Sequence, residues 1–398
     1  MKKNIAIQLA VLCGVPFVMV LGNSMLIPVF PQMKEAMKLT QFQVGLIITF
    51  FSLPAGLLIP FTGFLSDKYG RKVIIVPALF LYGIGGLICG IAAWLLDNPY
   101  PLLIVGRIVQ GTGAGGTYQL AMALAGDIFQ SDERTKVLGL LEASNGLGKV
   151  VSPILGSLLA LIIWFAPFFF YGIFAFPVAL GVWFLVKEPE GNKAKESFKE
   201  YWAKLVAVFK EKAKLLLSCY FVGMVVLFTL FGVLSWVSDI LEADYDIFGL
   251  KKGFVLAIPV TAMALTSYIS GTILAKSKEF WKPTIVAGTV LATIMLLLIP
   301  VFTNIFLFMT IMTLLGISIG VVLPPINTLT TGATKADKRG VVTSLYGTVR
   351  FFGVAIGPPT FGLAVRYGVW VLFVGAAVIT SLAAIIGFCF ITPPTKEA

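Results

Sequence analysis

The sequence predicts an all-α membrane protein: twelve transmembrane helices in two pseudo-symmetric six-helix bundles, with both termini in the cytoplasm. Three observations carry that expectation. Of 398 residues, 58% are apolar and 12% charged, against roughly 25% charged in a soluble domain, and the mean hydropathy is +0.96. The apolar residues fall into runs of the ~20 residues that a bilayer crossing requires. The second half of the chain then repeats landmarks of the first at a near-constant offset.

The runs lie at 5–29, 42–63, 73–95, 101–124, 137–161, 166–186, 215–238, 253–275, 283–303, 305–329, 341–365 and 369–391. Lys2 and Lys3 precede the first run as they would in a signal peptide. That run is too long for one and ends in Pro28 and Pro31 without a small-residue cleavage site, so it reads as a span. Prolines inside later runs, such as Pro54, Pro77, Pro153, Pro259 and Pro358, are tolerated where neighbouring helices re-satisfy the backbone.

Charge placement sets the orientation. With both ends inside, 22 of the 30 Lys and Arg fall in cytoplasmic segments and five in the opposite loops, Lys34, Lys38, Lys251, Lys252 and Arg366. The positive-inside rule accounts for that split, and it explains the net charge of +11 without nucleic acid. A multi-pass membrane protein, expected as a monomer, fits that pattern.

The only long polar connection divides the chain into an N-terminal bundle, 1–187, a cytoplasmic linker, 188–214, and a C-terminal bundle, 215–398. In the linker Phe198, Trp202, Leu205, Val206 and Phe209 recur at helical spacing opposite lysines. They read as an amphipathic helix on the inner leaflet; a plain charged linker is the alternative. An offset of 205 places Gly111 on Gly316, Gly115 on Gly320, Asp132 on Asp337, Arg134 on Arg339, Gly148 on Gly353 and Pro153 on Pro358. Near Gly63 the offset becomes 208, matching Gly271. Two such repeats suit rocking of one half against the other around a mid-depth site.

Three motifs stand in the first half. Gly63-Phe-Leu-Ser-Asp67-Lys-Tyr-Gly70-Arg71-Lys72 joins spans 2 and 3, and Arg107-Ile-Val-Gln110-Gly111-Thr-Gly113 lies in span 4. In span 5, Gly139 precedes Gly148-Lys-Val-Val-Ser152-Pro153-Ile-Leu-Gly156-Ser157. Together they resemble signatures of the major facilitator superfamily, specifically its bacterial 12-span drug:proton antiporters, over the whole chain. Ser152 and Ser157 stand where the antiporter motif has glycines. The resemblance implies a bacterial cytoplasmic (inner) membrane as the location. It implies a cytoplasmic charge latch from Asp67 and Arg71, with Lys72 beside them and Asp127 as an acid for Arg71. It also implies a span-5 stripe, Gly148, Ser152 and Gly156, packed on a helix of the opposite half, and a proton-coupling role for Arg107. Ordinary small-residue packing predicts the same stripe. Gly111-Thr-Gly113-Ala-Gly115-Gly116 also fits G-x-G-x-x-G, but no strand precedes it, so these glycines are expected to serve helix packing.

Ionisable groups at bilayer depth are costly and usually face a cavity or a partner. Four qualify: Arg107, Glu142, Lys149 and Arg350. Glu142, Asn145 and Lys149 share a helix face, and Arg350 is the repeat-mate of Asn145. Glu142 is the only acid clearly inside a span, and span 1 offers only Gln8 and Asn23. Glu142 is therefore the candidate proton carrier; a static pair with Lys149 or Arg107 is the alternative. Asn23, Tyr118, Gln119, Trp236, Tyr346 and Phe351 join Asn145, Lys149 and Arg350 as candidates for the substrate cavity, with plain helix packing the competing reading of the aromatic and amide members.

The expected function is proton-coupled export of amphiphilic small molecules by alternating access. An importer or uniporter of a metabolite uses the same fold. No histidine exists, which removes Ser-His-Asp catalysis and His metal sites. The four cysteines lack C-x-x-C spacing and read as small buried hydrophobes. A membrane enzyme would need a second acid, a metal set or an activated nucleophile. No cofactor is expected; protons, a small-molecule substrate and the bilayer are the partners. Three buried cations against one acid favour anionic, zwitterionic or neutral cargo over permanent cations.

Overall fold

The computed structural model describes residues 3–129, 131–189, 197–274, 278–334 and 336–392. Lys2, Lys193, Lys195, Lys276, Lys335 and Lys396 of the charge count lie outside them. So do the side chains of Asp132, Phe198, Trp202, Leu205, Asp337 and Arg339. Among the described residues there is no strand, as expected where the bilayer offers the backbone no hydrogen bonds.

Fourteen α-helices follow in order: α1 (Lys3–Ser24), α2 (Phe30–Met37), α3 (Gln41–Tyr69), α4 (Arg71–Leu95), α5 (Tyr100–Ala114), α6 (Tyr118–Ile128) and α7 (Ser131–Ala160). Then come α8 (Ala166–Leu185), α9 (Phe198–Ala243), α10 (Gly249–Leu274), α11 (Trp281–Leu298), α12 (Ile305–Gly332), α13 (Ala336–Ala364) and α14 (Val369–Phe390). Local chemistry sets several starts. Thr40 and Gln43 form a reciprocal capping box before α3, with the Thr40 amide donating to Gln43 Oε1 at 2.9 Å. Ser197 and Glu200 do the same for α9. The Asn304 side chain caps α12 by accepting from the amides of Phe306 and Leu307.

Among the described residues, ten helical stretches are long and apolar enough to cross a membrane. Expected spans 4 and 5 are the two exceptions, each for a physical reason. Span 4 is a broken helix. After Gly111, Gly113, Gly115 and Gly116 the ladder tightens, with Gly116 and Thr117 amides bonding Gly113 and Ala114 carbonyls, and α6 starts afresh at Tyr118. Glycines weaken helix continuity, and a single span over 101–124 overlooked that. Span 5 is one 30-residue helix, α7, whose polar face of Glu142, Asn145 and Lys149 lowers its hydropathy. The linker helix and span 7 are the two helical stretches of α9, which meet at a kink where the Lys212 backbone is non-helical (φ −128°).

The chain forms two compact units, Met1–Leu39 with Ile47–Tyr201 and Phe248–Phe254, and Thr40–Leu46 with Trp202–Ile247 and Val255–Ala398. In the first, α1, α4, α6, α7 and α8 enclose a core including Leu12, Val15, Leu79, Leu124, Leu141 and Val182. The repeat appears in contact detail. A Cβ on Gly111 would lie 2.1 Å from the Phe51 carbonyl, and one on Gly115 2.7 Å from that of Ala55. In the second unit Gly316 and Gly320 meet the carbonyls of Pro259 and Met263 at 2.2 and 2.5 Å. The glycines repeat at 205 and the carbonyls they meet at 208, the two offsets read from sequence. Close helix packing is thus what the G-x-G-x-x-G string serves.

Outer faces are apolar, with Trp94, Ile162, Phe184 and Phe306 largely exposed. Such a surface belongs to a lipid-facing protein. All four cysteines are free. Cys89 and Cys219 are buried, but Cys13 is only half-buried and Cys389 is exposed. An apolar run in a membrane protein has a lipid side as well as a core side.

Candidate functional site

Arg107 is the most completely built polar site in the first unit. It is fully buried in α5. Its Nε donates to the Ile47 carbonyl at 2.9 Å, and one terminal nitrogen donates to the Gly22 carbonyl at 2.8 Å and to Gln110 Oε1 at 2.6 Å. The other donates to Asn23 Oδ1, and the Phe51 ring centroid lies 4.4 Å from the guanidinium carbon. The Asn23 amide in turn donates to Ser52 Oγ at 2.8 Å. Gly22 belongs to the last turn of α1, where carbonyls lack helical partners, so the helix end at Ser24 supplies an acceptor. All four bonds run to neutral oxygens, and an arginine does not titrate in proteins. Arg107 therefore ties α1 and α3 to α5 and lies in the bundle core instead of lining a cavity. Asn23 shares that place. The repeat-related position is Met312, so Arg107 has no charged counterpart there.

Glu142 stands apart from this cluster. Its Oε1 accepts from the Tyr118 hydroxyl, so a Glu142–Arg107 pair is not formed. Tyr118 opens α6, directly after the break in span 4, and the break is what presents its hydroxyl to α7. Glu142 is exposed, while Tyr118, Gln119 and Lys149 are half-buried. Asn145 is buried and donates to the Pro16 carbonyl of α1 at 3.5 Å, beside a Ser144 hydroxyl bonded to the Cys13 carbonyl at 2.7 Å.

The span-5 stripe also faces α1, within the same unit. A Cβ on Gly148 would meet Val20 at 2.5 Å, and one on Gly156 the Met25 carbonyl at 2.1 Å. Ser152 back-bonds to the Gly148 carbonyl at 2.5 Å. The implied packing on a helix of the opposite half is thus corrected for Gly148 and Gly156. Pro153 differs: its carbonyl and Ser157 oppose Gly253. Gly139 has open space around it.

In the second unit, Trp236 is buried against the rings of Phe308 and Phe373, at 6.2 and 4.8 Å. Tyr346 is buried against Tyr220 at 5.8 Å. Both are core residues, which corrects their expected place on a cavity wall. Arg350 is half-buried, with its guanidinium 5.5 Å from the Tyr346 ring centroid, and Phe351 is half-buried beside it.

Among the described residues, a dense charge network lies where α3 meets α4. Arg71 Nε reaches Asp127 Oδ2 at 2.5 Å, and its terminal nitrogen contacts Asp67 at 3.0 Å and Ser66 Oγ at 3.2 Å. Gly70 has φ 112° and ψ 147°, a conformation open essentially to glycine. Gly63 sits one turn before Ser66, whose hydroxyl bonds the Gly63 carbonyl at 2.7 Å.

Sequence reasoning missed Glu188. Its carboxylate accepts from the amides of Arg71 and Lys72 at 2.6 and 3.1 Å, and Lys72 Nζ bonds the Val186 carbonyl at 2.9 Å. Two unpaired donors at the start of α4 are thus satisfied by an acid 117 residues away. No local spacing announces such a cap. Glu188→Ala is expected to cost about 1–2 kcal/mol, read as a lowered thermal midpoint in detergent, with Glu188→Gln in between. An unchanged midpoint for Glu188→Ala would remove the cap from the stability of this corner.

Comparison with known proteins agrees with this architecture. The Major Facilitator Superfamily model matches residues 12–358. The chain is 38% identical over 379 residues to a protein of Bacillus subtilis (strain 168) named bacillibactin exporter, covering 95% of this chain and 93% of that one. It is 25% identical to Multidrug resistance protein 2 of the same organism, covering 96% of each. Among solved structures, a bacterial homologue of the human lysosomal transporter Spinster superposes with TM-score 0.80 at 17% identity, over 98% of this chain and 97% of that one. That likeness concerns the fold. The chain belongs to the major facilitator superfamily and is a multi-pass membrane transporter, not an enzyme.

Proposed function

We propose that this protein is a proton-driven exporter of small amphiphilic molecules in a bacterial cytoplasmic membrane, with bacillibactin as the first substrate to test. The observation that carries the reading is the 38% identity, spread over nearly the whole of both chains, to the bacillibactin exporter. The 22-to-5 charge split supports cytoplasmic termini. Glu142, with the Tyr118 hydroxyl on its carboxylate, is the proposed proton carrier, and Arg107 a fixed cation that holds three helices. Asp67, Arg71 and Asp127 are the proposed latch, favouring one state of the alternating-access cycle.

The arginine cluster also changes the charge argument for cargo. With Arg107 bonded to carbonyls and amide oxygens, the cargo argument rests on Arg350, half-buried in the second unit. Arginine suits carboxylate or phosphate groups through its paired donors. Everted vesicles containing the protein are expected to take up bacillibactin, and an anionic dye in preference to a quaternary ammonium dye of similar size. Arg350→Ala is expected to erase that preference. Failure to take up bacillibactin would overturn the substrate assignment. Preference for the cationic dye, undiminished by Arg350→Ala, would overturn the charge argument.

A further inference from the structure

Outside the networks described above, the outer face of the first unit carries a groove of about 580 Å³ between α4 and α8. Every residue lining it is apolar or aromatic, among them Val76, Phe80 and Ile84 from α4 and Leu180, Trp183 and Phe184 from α8. Val76, Phe80 and Ile84 lie four apart, so the groove runs along one helix face for about 12 Å. Ile84 is 43% exposed, Leu180 46% and Phe184 73%. Both helices are long and apolar enough to cross a membrane, so the open side of this groove faces acyl chains.

Charge gives the groove a direction. Extending the α4 row by one turn reaches Lys72, and Lys187 lies two residues past the end of α8 at Leu185, after an extended Val186. The two lysines are at the same end, because Lys72 Nζ bonds the carbonyl of Val186 and lies 5.4 Å from the Trp183 ring centroid. Lys187 is exposed. An ammonium has three donors, of which Val186 engages one on Lys72. An apolar trough as long as part of a lipid tail, ending in two cations at a helix terminus, matches one ligand chemistry.

We propose that this groove is a binding site for an anionic phospholipid, with an acyl chain along α4 and α8 and the phosphate against Lys72 and Lys187. The cations give preference for a net negative headgroup, while the trough binds the chain whatever the headgroup. A lysine facing an anionic headgroup is worth about fivefold in affinity.

The test uses the purified full-length protein, stripped of lipid in detergent. It is incubated with micelles containing either phosphatidylglycerol or phosphatidylcholine of the same chains, and retained lipid is counted by native mass spectrometry. Wild-type protein is expected to retain phosphatidylglycerol at least fivefold better. Lys187→Gln is expected to cut that preference about fivefold while retaining phosphatidylcholine as before. Leu180→Trp, which narrows the trough, is expected to lower retention of both lipids with the lysines intact. Phe184→Ala, which removes an exposed wall, is the second groove variant should the larger side chain disturb folding, and is expected to act in the same direction. Equal retention of the two lipids by wild type, or a preference untouched by Lys187→Gln, would overturn the headgroup assignment. Undiminished retention by both groove variants would overturn the site.

Discussion

Replacing Arg107 by alanine is expected to destabilise the protein by about 3–5 kcal/mol, the range for breaking a buried charged network. The change leaves the side-chain oxygens of Asn23 and Gln110 and the Gly22 and Ile47 carbonyls without their shared donor. It also opens a void against the Phe51 ring. Buried acceptors stripped of partners cost about 1–3 kcal/mol each, and relaxation of α1 recovers part of that. Arg107→Lys keeps the charge but replaces a planar fork by a compact ammonium, so it is expected to recover less than half of the loss. Thermal unfolding in detergent measures both. A midpoint for Arg107→Ala close to wild type would mean that the cluster does not hold α1, α3 and α5 together.

Glu142→Gln is expected to abolish uphill transport while leaving exchange of labelled for unlabelled substrate measurable. The amide retains an oxygen for the Tyr118 hydroxyl but cannot gain or lose a proton, so it separates coupling from binding. Tyr118→Phe removes the donor and keeps the acid. It is expected to slow uphill transport without abolishing it. Uphill transport by Glu142→Gln at the wild-type rate would remove this carboxylate from the mechanism.

The fold was legible because bilayer physics leaves long apolar runs few structures to adopt. The two offsets between the halves were also readable, whereas the carbonyls that the repeat glycines meet were not. The break at Gly115–Thr117 was harder to read: four glycines close together signal both tight packing and a helix end, and the sequence does not rank the two. The candidate site was legible in its residue types and less so in its directions. Arg107 stands three residues before Gln110, a spacing that places both on one helix face, yet its other acceptors come from two distant helices. For Trp236 and Tyr346 cavity wall and helix packing were competing readings, and both residues pack in the core, because an aromatic on a membrane helix packs equally well toward its own bundle. Glu188 was invisible, since a cap supplied from 117 residues away leaves no periodic trace.

Coupling is the central claim, and one flux measurement addresses it most directly. Protein in proteoliposomes, with the membrane potential clamped at zero, is given a gradient of one pH unit and labelled bacillibactin on both sides. One proton exchanged per substrate is predicted to move the substrate up to about a tenfold gradient toward the acidic compartment. Equilibration to equal concentrations, at the same rate with and without the pH gradient, would contradict the account.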